Sequence, residues 1–309
     1  MDKIVKSRRS ARLNTVSLPS EIIIHILLTL FCLMCIVPFI FVIIISFSSQ
    51  NSISEIGYSF FPKEVSTKAY KFVFDLGFQL VRSFFNSVFI SVVGTIISVL
   101  ICIMYSYAMF RKEYKYRTLI AFFSFFTMMF SGGLAPTYMI SKDLLGLDNN
   151  YAALIVPLLV SPFNFIIMRT FFQSTIHMAL IESASIDGSS EFRTLFQIVI
   201  PIAKPGIATI ALLNIITYWN EWFLALLYLK PNSDYTPLQY LLYRIQDQVD
   251  FLVRGTPLPA GEASRILRNL PGESLRMALV VLIVIPIAFA YPFFQRYIIS
   301  GLTIGSVKG

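Results

Sequence analysis

The sequence predicts an all-α membrane protein with six transmembrane helices, and two observations support this fold class. First, 56% of the 309 residues are hydrophobic and only 14% are charged, whereas a soluble domain has about 25% charged residues. The one or two soluble cores expected at this length cannot bury such an apolar excess. Second, six apolar runs reach the length of about 20 residues that a helix needs to cross a bilayer. The runs are 22–47, 84–110, 119–140, 151–172, 207–229 and 277–299.

The first run follows a basic arm, 1–20, and is interpreted as a retained span. It is uncharged over too many residues for a cleaved signal peptide, and no small-x-small cleavage site follows it. Three later runs contain helix breakers, which membranes tolerate where protein or a water-filled cavity satisfies the freed backbone groups. We therefore expect a bundle that lines a path, with ordinary proline kinks as the alternative. The breakers are Gly132, Gly133 and Pro136, then Pro157 and Pro162, then Pro286 and Pro292.

Three longer segments connect these runs within a predicted membrane domain at 21–300. Segments 48–82 and 230–275 are expected on the outer side. The second of them carries five prolines, so its order depends on packing against other parts. A polar segment, 173–204, is expected on the same side as the termini, and a short tail, 301–309, follows the last run.

The distribution of Lys and Arg predicts the orientation. Six spans place both termini on one side, which holds 14 of the 25 basic residues with six acids, against 11 basic and 10 acidic residues opposite. Cytoplasmic loops carry the Lys and Arg excess, so both termini and segment 173–204 are predicted to be cytoplasmic. The net charge of +8 then reflects topology rather than nucleic-acid binding, because the basic residues are scattered at span ends.

The sequence lacks the motifs of an enzyme. It contains no GxxxxGK[ST] phosphate loop, so the chain is not expected to hydrolyse ATP itself. The two histidines, His25 and His177, form no HExxH motif, and neither a metal site nor a bound cofactor is predicted. Cys32, Cys35 and Cys102 fall inside predicted spans and are interpreted as small apolar helix residues rather than a redox or metal pair.

The stretch ESASIDGSSEFRTLFQIVIP, residues 182–201, is polar although it lies between two apolar runs. The residues around its start can form a helix with one apolar side. That side is expected to hold Met178, Ile181 and Ile186. Asp187 and Gly188 are expected to end the helix, because Gly adopts a positive φ at the least cost.

A second helix is expected to follow within the same stretch. Ser189 or Ser190 would cap it, with an acid in the first turn, and Pro201 would end it where the fifth run begins. A helix–turn–helix with exposed apolar and charged groups suits docking against another protein. The alternative is an amphipathic pair resting on lipid head groups, which three acids disfavour at an anionic leaflet.

This stretch resembles the EAA loop in permease subunits of ABC importers. The family pattern is Glu-Ala-Ala, three residues, Gly, nine residues and Ile-x-Leu-Pro; this chain has Glu182-Ser183-Ala184, then Gly188, then Ile198-Val199-Ile200-Pro201. It departs from the pattern at Ser183 and Ile200, both small changes. Other stretches are similar to carbohydrate-uptake permeases, in particular the LplC/YtcP-like branch. These are GGLAPTYMI, YWNEWFLALLY, TPLQYLLYRI, LPGESLRMALVV and YPFFQRYIISGLTIGSVKG.

The resemblance implies the six-helix, MetI-like fold of a type I importer in the bacterial cytoplasmic membrane. The implied partners are a second homologous permease, two ATP-binding subunits that hold ATP-Mg, and an extracytoplasmic solute-binding protein. Segment 173–204 is then the coupling loop, in which Glu182 pairs with a basic residue of the ATPase, Gly188 allows the bend and Pro201 sets the exit angle. The implied coupling residues are Glu182, Ser183, Ala184, Asp187, Gly188, Ile198 and Pro201.

Four consecutive residues in the fifth run, Trp219, Asn220, Glu221 and Trp222, are candidates for the substrate pathway. An ionisable residue inside a span is costly, which makes it a functional hypothesis. Trp rings stack on sugar rings, and Asn and Glu bond hydroxyl groups. The alternative is that Glu221 pairs structurally with a neighbouring helix or with the partner subunit.

The predicted function is ATP-driven import of sugars, including acidic oligosaccharides, by alternating access. One alternative is an importer permease for a non-sugar solute, such as an amino acid or a metal complex. Another is an ion-coupled secondary transporter, which would normally show more spans and internal inverted repeats. A structural membrane scaffold is the third.

Overall fold

The computed structural model describes residues 18–255 and 272–305, and within these ranges the chain is helical without a β-strand. An isolated bridge joins Ser48 to Val65. The all-α prediction is therefore confirmed. Most of the predicted arm 1–20, the stretch 256–271 and the end of the predicted tail lie outside the described residues.

Three helices are long and apolar enough to cross a membrane alone, and three bent pairs bring the number to six if each pair is one span. We number them in chain order. Span 1 is Leu18–Ser46, span 2 is Phe78–Phe110 and span 6 is Gly272–Gly305. Span 3 pairs Arg117–Met129 with Leu134–Leu144, and span 4 pairs Tyr151–Leu158 with Pro162–Thr175. The third bent pair is Glu191–Ile202 with Lys204–Asn220. We number Lys204–Asn220, together with the short helix Phe223–Tyr228 that follows it, as span 5.

The breaks in spans 3 and 4 coincide with some of the predicted breakers. Span 3 bends by 118° before Leu134, where Gly133 has φ +86°. Span 4 bends by 50° before Pro162, which has no N–H to continue a preceding helix. In span 6, by contrast, Pro286 and Pro292 both lie within one helix. That helix runs to Gly305, inside the segment 301–309 that the sequence assigns to the tail.

The fifth predicted run, 207–229, differs from the observed span 5 at both ends and in the middle. The helix begins earlier, at Lys204, after an 83° bend from Glu191–Ile202. It ends at Asn220 because Glu221 has extended backbone (ψ 113°), and a second short helix starts at Phe223.

Span 2 is the central helix of the bundle, and span 5 packs along it. In the apolar 18-residue stretch of span 2, 50% of the residues are buried, whereas 6% are buried in the corresponding stretch of span 1. Small residues allow the close approach: a Cβ added at Gly94 would lie 2.6 Å from the Tyr218 ring, and the Tyr218 hydroxyl bonds Ser98 at 3.0 Å. In a lipid environment the hydrophobic effect does not drive helices to associate. This packing therefore depends on van der Waals contact and buried hydrogen bonds.

The long segment between spans 5 and 6 contains the helix Leu238–Gly255, which is tied to span 2. The Leu238 N–H donates to Ser87 at 2.7 Å, and the Asn86 amide donates to the carbonyls of Asp234 and Thr236. These contacts pack the described part of this segment, 230–255, against span 2; the stretch 256–271 lies outside the described residues.

The segment before span 2 is tied to the start of span 6 by a side-chain bond. The Tyr58 hydroxyl donates to Glu273 at 2.7 Å. This bond, partial burial and the Glu273 charge together raise the pKa of Tyr58 above its ordinary value.

Candidate functional site

The segment 173–204, predicted above to be the coupling loop, contains a bent pair of helices, 178–202, which we call the elbow. Its first helix is Met178–Ile186. Gly188 has φ +78°, and the Ser189 N–H bonds the Ala184 carbonyl at 2.9 Å, so this left-handed turn closes the helix. A Cβ at Gly188 would meet nothing within 4 Å, so only the backbone conformation favours glycine there.

The second helix of the elbow starts at the expected serine cap. The Ser190 hydroxyl accepts from the Arg193 N–H at 3.4 Å, and Glu191 lies in the first turn. The helix continues through a π-helical turn, Leu195–Val199, and ends at Ile202. The sequence predicts that this helix ends at Pro201, one residue earlier. A π turn comes just before Pro201, which has no N–H to donate to a preceding carbonyl. The chain then bends by 83° at Ala203, before span 5 begins.

The two faces of the elbow differ sharply in burial. Ile181, Leu195 and Val199 are buried with Met168 and Phe172 of span 4. The opposite face is exposed and mixes charged with apolar groups. It presents Glu182, Ser183, Asp187, Gly188, Ile186 and Phe192, while Ala184 is buried, Ile198 is half-buried and Pro201 is exposed.

The expectation that Met178, Ile181 and Ile186 share one side is wrong for Ile186. Ile181 is 1% exposed and Ile186 is 86% exposed. Five residues at 100° per residue place the two side chains about 140° apart. The Ile186 side chain is therefore part of the exposed face.

Two acids of the elbow have different surroundings. Within 18–255 and 272–305, Glu182 forms no hydrogen bond or ion pair. Glu191 instead bridges two residues at the end of span 2: it accepts from the Tyr107 hydroxyl at 2.7 Å and from Arg111 at 2.7 Å. The Arg111 side chain is 11% exposed and also lies 3.4 Å from Glu113. This Glu191 clamp joins the elbow to span 2.

From the sequence, Glu191 is predicted only to be an acid in the first turn of the second helix. Its partners lie 84 and 80 residues earlier in the chain. The sequence does contain a signal for this contact. Tyr107 lies in the last turn of span 2, Arg111 follows the span directly, and Glu191 is an acid in a loop predicted on the same side of the membrane.

The candidate pathway residues lie at the break in span 5, where their polar groups bond within the chain. The Trp219 indole N–H donates to the Ile283 carbonyl of span 6 at 3.2 Å. The side-chain Oδ1 of Asn220 accepts from the Gln239 side chain at 3.1 Å. The Glu221 carboxylate accepts from the Leu224 N–H at 2.8 Å and so caps the helix Phe223–Tyr228. Trp219 is buried; Trp222 is half-buried and stacks on Tyr243 with ring centroids 4.3 Å apart.

Among the described residues, no cluster of His, Cys, Asp and Glu is arranged to hold a metal ion. The elbow instead offers an exposed carboxylate beside exposed apolar side chains. This is a surface that can bind a protein with a basic residue and an apolar cleft.

Comparisons with known proteins agree with this architecture. The chain is 36% identical over 289 residues to the polygalacturonan/rhamnogalacturonan transport system permease protein YtcP of Bacillus subtilis (strain 168), covering 94% of this chain and 98% of that protein. It is 37% identical over 275 residues to protein LplC of the same organism, covering 89% and 90%. No family model matches the chain.

Among solved structures, the chain is similar to one in the crystal structure of a bacterial ABC transporter involved in the import of the acidic polysaccharide alginate. The TM-score is 0.72 at 28% identity, and the match covers 92% of this chain and 99% of the other.

Proposed function

This chain belongs to the permease subunits of carbohydrate ABC transporters, which are multi-pass membrane proteins, and from that premise we propose that it imports oligosaccharides by ATP-driven alternating access. It works with a second homologous permease, two ATP-binding subunits that bind and hydrolyse ATP-Mg, and an extracytoplasmic solute-binding protein. Its place is the cytoplasmic membrane of a bacterium, with both termini and the elbow in the cytoplasm.

One observation supports this coupling role above the others: the elbow exposes the carboxylate of Glu182, which has no partner among the described residues, on a helix that is fixed to the bundle. Its buried face contacts span 4, and the Glu191 clamp holds it to span 2. Glu182 then pairs with a basic residue of the ATP-binding subunit, and Ile186 and Phe192 fill an apolar cleft beside it.

The same contacts provide a path for motion. When ATP closes the dimer of ATP-binding subunits, the docked elbow moves with it. Because the elbow is packed against spans 2 and 4 and leads directly into span 5, these spans tilt together and the outward path reopens. The chain itself contributes no catalytic residue to ATP hydrolysis.

The proposed substrate class follows from the relatives. One is named for polygalacturonan and rhamnogalacturonan transport, and the similar solved transporter imports alginate, an acidic polysaccharide. We assign to this chain oligosaccharides that include acidic sugars. At the break in span 5, Asn220 and Trp222 face the path, while Trp219 and Glu221 shape the joint that holds them.

Purification followed by uptake measurements tests the proposal. The chain, tagged and expressed with its neighbouring genes, should copurify with a second six-span protein and an ATP-binding protein. Vesicles reconstituted with both permeases and the ATP-binding subunits should take up sugar when the solute-binding protein is added outside and ATP is enclosed. An ion gradient should not change the rate of uptake. Uptake driven by an ion gradient without ATP would instead establish a secondary transporter.

A further inference from the structure

A groove of about 480 Å³ lies between the break in span 4 and the facing side of span 5. It is separate from the elbow and from the break in span 5. The residues used below are Val160, Ser161, Phe163, Asn164, Asn214 and Thr217.

Two asparagines inside the bundle form the polar floor of this groove. The side-chain Nδ2 of Asn164 donates to the side-chain Oδ1 of Asn214 at 3.1 Å. Asn214 is 5% exposed, and its Nδ2 is buried without a hydrogen-bond partner among the described residues. An unsatisfied buried donor costs about 1–3 kcal/mol. A group with this cost is expected to have an acceptor in the working protein.

The N-terminus of a helix adds a partial positive charge to the same groove. The helix Pro162–Thr175 starts there, and the Ser161 hydroxyl caps it by accepting from the Asn164 N–H. A helix N-terminus carries a partial positive charge and favours oxygen ligands with negative charge or partial charge. The charge pattern of the groove therefore matches an oxygen acceptor.

The groove opens to the outside of the chain, where Val160, Phe163 and Thr217 are exposed. An unpaired amide facing hydrocarbon would cost several kcal/mol, and a broken helix is tolerated at membrane depth only against protein or water. This side of spans 4 and 5 is therefore expected to face the water-filled path or the second permease rather than lipid. The Asn214 amide, which has no partner among the described residues, favours the water-filled path.

We propose that this groove is a substrate subsite on this chain, in which Asn214 Nδ2 donates to an oxygen of the passing sugar, either a hydroxyl or a carboxylate. The proposal rests on the proposed function and deepens it, because it places substrate contact on this permease as well as on any site of the partner. Thr217 lies at the mouth of the groove, and its hydroxyl donates to the Leu213 carbonyl at 2.9 Å.

The first test measures whether the groove is wet, and it needs no knowledge of the sugar. In the intact importer, Thr217→Cys should react with a small, charged, membrane-impermeant thiol reagent. The native Cys32 and Cys35 are exposed on the apolar span 1 and serve as internal controls that should stay unlabelled. A Thr217→Cys variant as inert as these cysteines would overturn the proposal.

The second test replaces the donor without changing its shape. Asn214→Asp still accepts from Asn164 but cannot donate to the sugar. The apparent KM for a labelled oligogalacturonide should rise by about tenfold. The carboxyl-reduced, neutral form of the same oligosaccharide is the deciding substrate, because the Asp carboxylate repels an acidic sugar whichever oxygen the amide binds. A rise in the KM for this neutral form reports the loss of the donor alone.

The outcomes separate this inference from the proposed function. If wild-type vesicles show no ATP-driven uptake of any oligosaccharide, the proposed function fails. If ATP-driven uptake is present but Asn214→Asp leaves the KM for the neutral form unchanged, the subsite alone is overturned. Asn214→Leu, which removes both amide functions, should assemble less well than Asn214→Asp because Asn164 then loses its acceptor.

Discussion

The elbow and the break in span 5 both place an acid beside a bend between helices, but the two acids differ in exposure and in hydrogen bonding. Glu182 in the elbow is exposed and unpaired within the described chain. Glu221 at the break is half-buried and caps the next helix of its own span. From this comparison we infer that an exposed acid without a bond on an ordered helix binds a partner protein. An acid that accepts from the nearest backbone N–H stabilises the fold instead.

The elbow itself repeats this contrast on a smaller scale. Glu191 is bound by Tyr107 and Arg111, so it fixes the elbow to span 2, while Glu182 points away from the bundle. Coupling needs both kinds of acid, because a docking surface transmits motion only if it is attached firmly to the helices that must move.

The largest effect is expected for Glu182→Lys. Removing one member of a desolvated charge pair at an interface costs about 2–5 kcal/mol, so the variant should reach the membrane but lose coupled ATP hydrolysis and uptake. Asp143→Lys, another exposed acid at the opposite end of the bundle, is the matched control and should retain activity. Full coupled activity in Glu182→Lys would remove the docking role.

A smaller effect is expected from the backbone at Gly188. A side chain with a Cβ at φ +78° costs about 1–2 kcal/mol, so Gly188→Val should displace the second helix of the elbow and lower coupled ATPase activity several-fold. Asn tolerates this conformation better than other residues, so Gly188→Asn should keep most of the activity. Equal rates for both variants would show that the turn conformation is unimportant.

The Glu191 clamp should contribute less, because the Glu191 carboxylate is 61% exposed and solvent weakens its ion pair. Glu191→Ala should loosen the elbow by about 1 kcal/mol, detectable as faster amide hydrogen exchange in 178–202. Tyr107→Phe removes one of the two bonds and should have about half the effect. Unchanged exchange in Glu191→Ala would mean that burial alone holds the elbow.

The smallest effects are expected at the break in span 5. Glu221→Gln keeps an oxygen that can accept from the Leu224 N–H, so stability and assembly should be nearly unchanged. Trp222→Ala should assemble normally but import sugar a few-fold more slowly, because the ring at the path is lost. Normal uptake rates in Trp222→Ala would restrict Trp222 to its stacking on Tyr243.

The parts of the site that sequence predicted are those set by local chemistry. Gly188 ends a helix and Ser190 starts one because each depends on neighbours within a few residues. The Glu191 clamp and the Asn164–Asn214 pair depend on helices that meet only in the folded bundle. Apolar periodicity places such residues inside or beside spans but does not say which faces touch.

The break in span 5 shows the same limit from the other side. Glu221 is predicted to contact substrate or to pair with a neighbouring helix or the partner subunit. In the described chain it accepts from the backbone N–H of Leu224, three residues on, which the sequence did not indicate. A composition-based span assignment cannot anticipate this, since the run 207–229 looks continuous in hydropathy. The sequence feature that indicates the break is Glu221 itself, because a carboxylate can accept from the free N–H groups in the first turn of a new helix.

The most direct test of the central claim locates the elbow and its partner together. Ile186→Cys places a thiol on the most exposed apolar side chain of the elbow. In intact cells it should resist an impermeant reagent added outside, and in inside-out membranes it should form a crosslink to the ATP-binding subunit that changes in yield when ATP is trapped. Labelling of Ile186→Cys from outside the cell, or an active transporter without any crosslink to an ATP-binding subunit, would contradict the account.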